Sequence, residues 1–430
     1  METPKTNEKA PLSRMLPWVI WSLAALFYGY GYFQRVATSV MVEDLMRDFA
    51  VGAAVLGNLS AIYYYAYAGM QIPVGVLNDR FGPRRILTAA AFVGGTGTVL
   101  FALAPSIELA YAGRLLVGIG VAFAWVSTLK LIGIWFAPHR FATMTGMTLV
   151  IGMTGGILAQ APLALAIDEF GWRASLAASS IAAIILAAAI WFVVRDARAD
   201  VTETQKVKLA DVIRDALPVM ANMQTWLVAI FGMTTTVVAL GFMGLWGVPF
   251  LSEIYALDRP SAAAVISSGF VGQAFGGVFL GWLSDTIRRR KPPMIGGLVV
   301  MTALFVLVVY GPVLPVPILH AAMFVMGAAS AASIVGFATV RENAPSAVSG
   351  VTVACINTLL ITSGAIMQPT AGLILDAYWD GTVMDGVRVY GLDVWKLAFV
   401  PFVAFCAVGV TTTFFVRETH CRPLTEGDTP

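Results

Sequence analysis

Twelve apolar runs of about 20 residues each, separated by short polar stretches, govern what this chain can become. They lie near 17–40, 52–75, 86–105, 108–134, 141–166, 174–194, 223–248, 260–282, 293–313, 317–340, 348–374 and 394–416. A helix of about 20 apolar residues crosses the ~30 Å hydrocarbon core of a bilayer. The expected fold is therefore all-α and integral to a membrane, with twelve transmembrane helices. Composition agrees: 58% of residues are apolar and 12% charged, with a mean hydropathy of +0.79, where a soluble domain carries about a quarter charged residues. The first run follows a basic start (Lys5, Lys9, Arg14). It is too long for a signal-peptide core and no small-residue cleavage site follows, so it reads as a retained span.

The net charge of +2 constrains little; the placement of the positive residues constrains more. With the N-terminus inside, about 19 of the 27 Lys and Arg fall on inner segments, about 5 outside and 3 within spans. That bias places both termini in the cytoplasm, and a bacterial inner membrane is the expected location. The basic clusters are short and scattered and lack interleaved aromatics, which argues against nucleic acid as a partner. Cys355, Cys406 and Cys421 form no disulfide framework. No Cys/His spacing for a metal and no GxxxxGK[ST] loop occurs, so no cofactor is expected, and without a nucleophile–base pair in the spans no enzyme.

A polar cassette occurs twice: Gly75-Val76-Leu77-Asn78-Asp79-Arg80-Phe81-Gly82-Pro83-Arg84-Arg85, then Gly281-Trp282-Leu283-Ser284-Asp285-Thr286-Ile287-Arg288-Arg289-Arg290-Lys291. Gly156 to Gln160 to Asp168 repeats as Gly364 to Gln368 to Asp376 at nearly the same offset, and Ala137-Pro138 as Ala344-Pro345. Such internal symmetry marks a duplicated membrane protein whose halves rock about a site between them. The halves are placed at 1–194 and 223–430, joined by a charged inner linker, 195–222, in which Leu209, Val212, Ile213 and Leu217 would line one face of a short surface helix or belong to a plain connector.

The first cassette resembles motif A of the major facilitator superfamily. Arg114-Leu115-Leu116-Val117-Gly118-Ile119-Gly120 is similar to its motif B, and Gly152-Met153-Thr154-Gly155-Gly156 with Pro162 more loosely to motif C, without the usual Gly-Pro pair. The resemblance covers nearly the whole chain. It implies two pseudo-symmetric six-helix bundles, alternating access and a functional monomer. It implies a latch between the halves for Asp79, Arg80, Arg84 and Arg85 and for Asp285 and Arg288, against a plain topological role. For Arg114 it implies coupling or the holding of helices.

Arg35 stands about 18 residues into the first span. A guanidinium at that depth costs at least ~2.5 kcal/mol, so it should face a cavity and a partner; its planar fork suits carboxylate or phosphate. Helical spacing adds Tyr28 and Tyr32 to its face. Snorkelling to outer headgroups, or pairing with Glu43 or Asp44, is the alternative. Tyr64, Tyr67 and Gln71 share a stripe on the second span, as cavity lining or as an interfacial belt. Lys130 reads as a second substrate cation or an interfacial lysine. Trp246, Asn357 and Gln368 could line the site from the second half, and Arg341 and Glu342 could pair with each other.

No Asp or Glu falls clearly mid-span. Proton coupling, which usually needs a buried carboxylate, could still run through the substrate's own carboxyl group. The reading is a secondary active or facilitative transporter for a small organic anion or amino-acid-like solute, with a carboxylate-bearing molecule and the lipid bilayer as its partners. Two alternatives stay open: an organophosphate:phosphate exchanger, and a solute sensor of the same fold that moves nothing. Tyr28 to Arg35 resembles the first span of the organophosphate antiporters and of bacterial intraphagosomal amino-acid transporters. The antiporters carry a second arginine in span seven, and none occurs here between Gln224 and Val248.

Overall fold

The computed structural model describes residues 11–196, 214, 219–343 and 349–422. The linker face at Leu209 to Leu217 and the Ala344-Pro345 repeat lie outside them. Among the described residues twelve long helical spans follow in order: α1 (Pro11–Val36), α2 (Ala53–Phe81), α3 (Pro83–Ala102), α4 (Ile107–Trp135), α5 (Pro138–Phe170), α6 (Trp172–Val193), α7 (Met223–Tyr255), α8 (Arg259–Ile287), α9 (Lys291–Tyr310), α10 (Val316–Glu342), α11 (Ser349–Ala377) and α12 (Leu392–Phe415). The last ten, α11 from Cys355, are long and apolar enough to cross a membrane. α1 and α2 match them in length, and their tyrosines, tryptophans and amides lower their apolarity. The chain is an all-α integral membrane protein.

The spans run past several of the apolar runs that announce them. α2 continues from the end of its run to Phe81 and α8 to Ile287, so the first part of each cassette is helical although Gly, Asn and Asp are weak helix formers. Gly82, at φ 78°, then breaks the chain and Pro83 opens α3, a residue pair suited to ending one helix and starting the next.

Two spans depart from α winding. α1 passes into a 3₁₀ turn, Ala37–Met41, and a short helix, Val42–Phe49. α7 carries a π-helical segment, Val238–Trp246. These irregular stretches contact each other, and they occupy equivalent places in the two halves. Mid-helix π winding is uncommon and concentrates at functional sites.

Within each bundle, small residues bring backbones together, as lipid-embedded helices require. Gly97 of α3 packs against Gly113 of α4, and Gly29 of α1 against Gly155 of α5. The second bundle adds an aromatic core of Phe242, Phe250, Phe305, Trp395, Phe399 and Phe402. Between the bundles α2 lies along α11; a Cβ on Gly57 would sit 2.6 Å from the Gln368 carbonyl oxygen, and Gly372 backs onto Ala53.

Between α11 and α12 a β-hairpin, β1 (Val383–Met384) with β2 (Val387–Arg388), turns at Asp385-Gly386, both with positive φ, the conformation that Asp-Gly turns favour. It marks one end of the molecule, the hairpin end; the duplicated cassettes mark the other.

Candidate functional site

Arg35 ends α1 at the level of the irregular segments and is 7% exposed. Its guanidinium lies over three phenol rings: Tyr32 at 4.3 Å, Tyr67 at 5.4 Å and Tyr63 at 5.9 Å. Its Nε is buried without a partner. Among the described residues no carboxylate pairs with it. The alternative of pairing with Asp44 fails, since Asp44 is taken by Arg259 at 2.8 Å and Arg47 at 3.4 Å. Snorkelling fails because the side chain is enclosed. Cation–π contacts offset part of the burial cost but leave the positive charge without a counter-ion.

Tyr28 packs against Tyr32 and Trp125, with centroids at 5.3 Å and 4.9 Å. Tyr67 stacks on Tyr63, and Gln71, one turn on, donates to the Tyr67 carbonyl at 3.5 Å. Tyr64 turns the other way, its ring against Gly364 of α11 and its hydroxyl buried without a partner. Spacing alone missed Tyr63, although its i, i+4 relation to Tyr67 was there to be read. It bonds the Gly31 carbonyl at 3.0 Å, which fixes its ring beneath Arg35.

The second half presents Gln368, wholly buried, whose Nε2 donates to Leu240 O of the π segment at 2.7 Å while its Oε1 has no partner. Asn357 is half-buried on the same helix, about three turns away. Trp246 requires correction as a lining residue: it is 1% exposed, packs on Trp395, and donates its indole N–H to Gln368 O at 2.9 Å. Its bulk belongs to the aromatic core.

For Lys130 the interfacial reading fits and the substrate-cation reading does not. Its Nζ meets Asp79 at 2.7 Å and the Asn78 carbonyl at 2.9 Å; four methylenes carry the ammonium from α4 to the cassette rather than toward Arg35. Asp79 thus pairs with a lysine of its own bundle. The residue that meets a helix N-terminus is Asp196, accepting from Arg84 N at 2.6 Å. Arg84 adds Trp191, by its carbonyl at 2.9 Å and its ring at 4.6 Å. Arg80 lies over Phe81 at 5.2 Å and Arg85 is exposed.

In the second cassette Arg290, not Arg288, closes the cluster. Arg288 forms the left-handed cap of α8, whereas Arg290 meets Asp285 at 2.6 Å and Glu342 at 2.5 Å. Glu342 therefore pairs with Arg290 and not with Arg341. Burial alone would lower the Arg290 pKa, but the two carboxylates outweigh it and push it up. Glu418 accepts from Arg290 N at 2.7 Å and Lys291 N at 3.0 Å, at the start of α9, and Thr419 donates to Glu342. Although burial opposes the charged form, these N–H groups hold the Glu418 carboxyl below the usual range.

Arg114 lies away from both cassettes. It is 1% exposed, donates to Gln34 O at 2.8 Å, and rests over Tyr63 at 5.3 Å and Phe101 at 5.7 Å.

Polar contacts gather between the bundles at the hairpin end. Asp376 of α11 accepts from Ala53 N at 3.0 Å and Ala54 N at 2.9 Å, capping α2, and also meets Arg388 and the Tyr390 hydroxyl. Burial and the Asp376 charge push the Tyr390 pKa up. Arg259, in the first turn of α8, spans Asp44 at 2.8 Å and Asp168 at 3.4 Å. The repeated acids Asp168 and Asp376 therefore each reach the start of a helix in the opposite bundle. Arg47 bonds the Asp385 carbonyl of the hairpin at 3.3 Å.

A chain with these features has relatives. It is 22% identical over 301 residues to the "Probable hexose phosphate transport protein" of Chlamydia muridarum, covering 64% of this chain and 66% of that one. It is 26% identical over 155 residues to the "Probable sulfoacetate transporter SauU" of Cupriavidus necator, covering 36% of each. Among solved structures it is similar to a bacterial homologue of the human lysosomal transporter Spinster, with a TM-score of 0.76, 16% identity and coverage of 93% and 97%. A family model described as Major Facilitator Superfamily matches residues 22–248 and 233–428. Matched over nearly its whole length, with the duplicated cassette and twelve spans that the resemblance implied, the chain belongs to the Major Facilitator Superfamily.

Proposed function

We propose that this protein transports a small organic anion across the membrane by alternating access, with Arg35 holding the anionic group. The observation that carries the reading is a buried guanidinium, set among tyrosines of α1 and α2 where α1 meets the π segment of α7, with no carboxylate partner among the described residues. A buried cation is retained where something pairs with it in the working cycle. Tyr28, Tyr32, Tyr64, Tyr67 and Gln71 shape the pocket from the first bundle, and Gln368 and Asn357 from the second. The relatives whose printed names include hexose phosphate and sulfoacetate support an anionic solute. With the cassettes in the cytoplasm, as the Lys and Arg bias requires, the hairpin end faces outside and the described contacts close that side.

Purified protein in liposomes should take up labelled organic anions, and Arg35→Ala should abolish both binding and uptake. Uptake unaffected by Arg35→Ala would remove the site. Binding without flux would instead make the protein a sensor. Exchange against inorganic phosphate is the weaker reading, because α7 carries no arginine or lysine to close on so small an anion from the second bundle.

A further inference from the structure

Arg35 is not alone at its depth. Arg114 approaches the same ring, so that Tyr63 has one guanidinium at 5.9 Å and another at 5.3 Å. Both are buried, and among the described residues neither pairs with a carboxylate; Arg114 has the Gln34 carbonyl, and its Nε and Nη2 have no partner. Two positive charges one ring apart, in a low-dielectric interior, are costly to hold and repel each other. A single negative charge on Arg35 would leave a net positive charge behind.

We infer that the preferred solute is a dianion: a dicarboxylate, a sulfocarboxylate or a phosphate monoester. The inference rests on the Arg35 reading and adds a charge to it. One anionic group meets Arg35. Arg114 is 1% exposed and held by the Gln34 carbonyl, so it acts through its field as a specificity-determining residue rather than by contact, beside a ring held in place by the Tyr63–Gly31 bond. At about 10 Å and an effective dielectric of about 20, one fixed charge changes affinity roughly tenfold per ligand charge.

The test is calorimetry on the purified full-length protein with matched pairs: glucarate against gluconate, malate against lactate, and sulfoacetate against acetate. The dianion of at least one pair should bind at least tenfold more tightly than its monoanionic match. Arg114→Gln should cut that ratio about tenfold, while Arg114→Lys should retain it. Wild-type protein gives a readout independent of any variant: glycerol 3-phosphate should weaken between pH 7.5 and pH 5.5, as its second proton returns near pH ~6, while sulfoacetate holds steady. Equal affinities within every pair, or a ratio unmoved by Arg114→Gln, would overturn the inference. Monoanions bound through Arg35 with no gain for dianions would sink this inference alone, whereas no Arg35-dependent anion binding at all would sink the transport reading beneath it.

Discussion

Arg35 and Lys130 are both cations inside apolar runs, and their different fates show what a single side chain determines. Arg35 ends a helix just where the backbone tightens into a 3₁₀ turn, so its short, planar head stays between rings. Lys130 has a flexible stem with a compact ammonium, and an acid within its reach. Lys130→Ala should leave anion affinity within about twofold and lower stability by about 0.5–1 kcal/mol, the range for a partly exposed ion pair; chemical denaturation and calorimetry check the two halves of that statement. The burial of Arg35 was legible because an isolated guanidinium deep in a span has few explanations. The destination of Lys130 was not, because the direction of a flexible stem depends on a neighbouring helix that spacing along one helix does not reveal. Trp246 was misjudged for a related reason: an indole in a span serves a core as well as a cavity.

At the scale of single helices, the starts of α2, α3 and α9 each receive a carboxylate: Asp376, Asp196 and Glu418. A helix start carries unpaired N–H groups and partial positive charge, so an acid there stabilises both. Asp376→Asn keeps the shape and loses the charge. It should weaken closure at the hairpin end by about 1 kcal/mol, read as greater labelling of a single cysteine placed in the cavity by a reagent added from that side. For Glu418 the sign follows from a depressed pKa. Its contribution is fully present above the ordinary carboxylate value near ~4.3 and is lost as pH falls through the lower folded value. The thermal midpoint of the wild type should therefore fall on acidification below pH ~4, and Glu418→Gln should flatten that part of the profile. The repeat of Asp168 as Asp376 could be read along the chain; what each acid touches could not, because its partners belong to helices of the other bundle.

For the molecule as a whole, duplication sets the architecture, and the candidate site lies where the two halves depart from it. The fold was legible almost completely, since lipid admits few arrangements for twelve apolar helices and the repeated cassette fixed the pairing of halves. The site was legible only in part. Arg35 falls opposite α7, where the equivalent stretch holds Gly241 in π winding instead of a second cation, and that asymmetry of helix geometry leaves no mark in hydropathy. Where α2 meets α11, the touching parts are main chain, at Gly57 and Gly372. A joint of that kind has no spring in it: no rotamer can yield to let the surfaces approach less than fully. One methyl group at Gly57 becomes a doorstop, and Gly57→Ala should hold the gate ajar, with cavity cysteines reactive from the hairpin side even when nothing is bound.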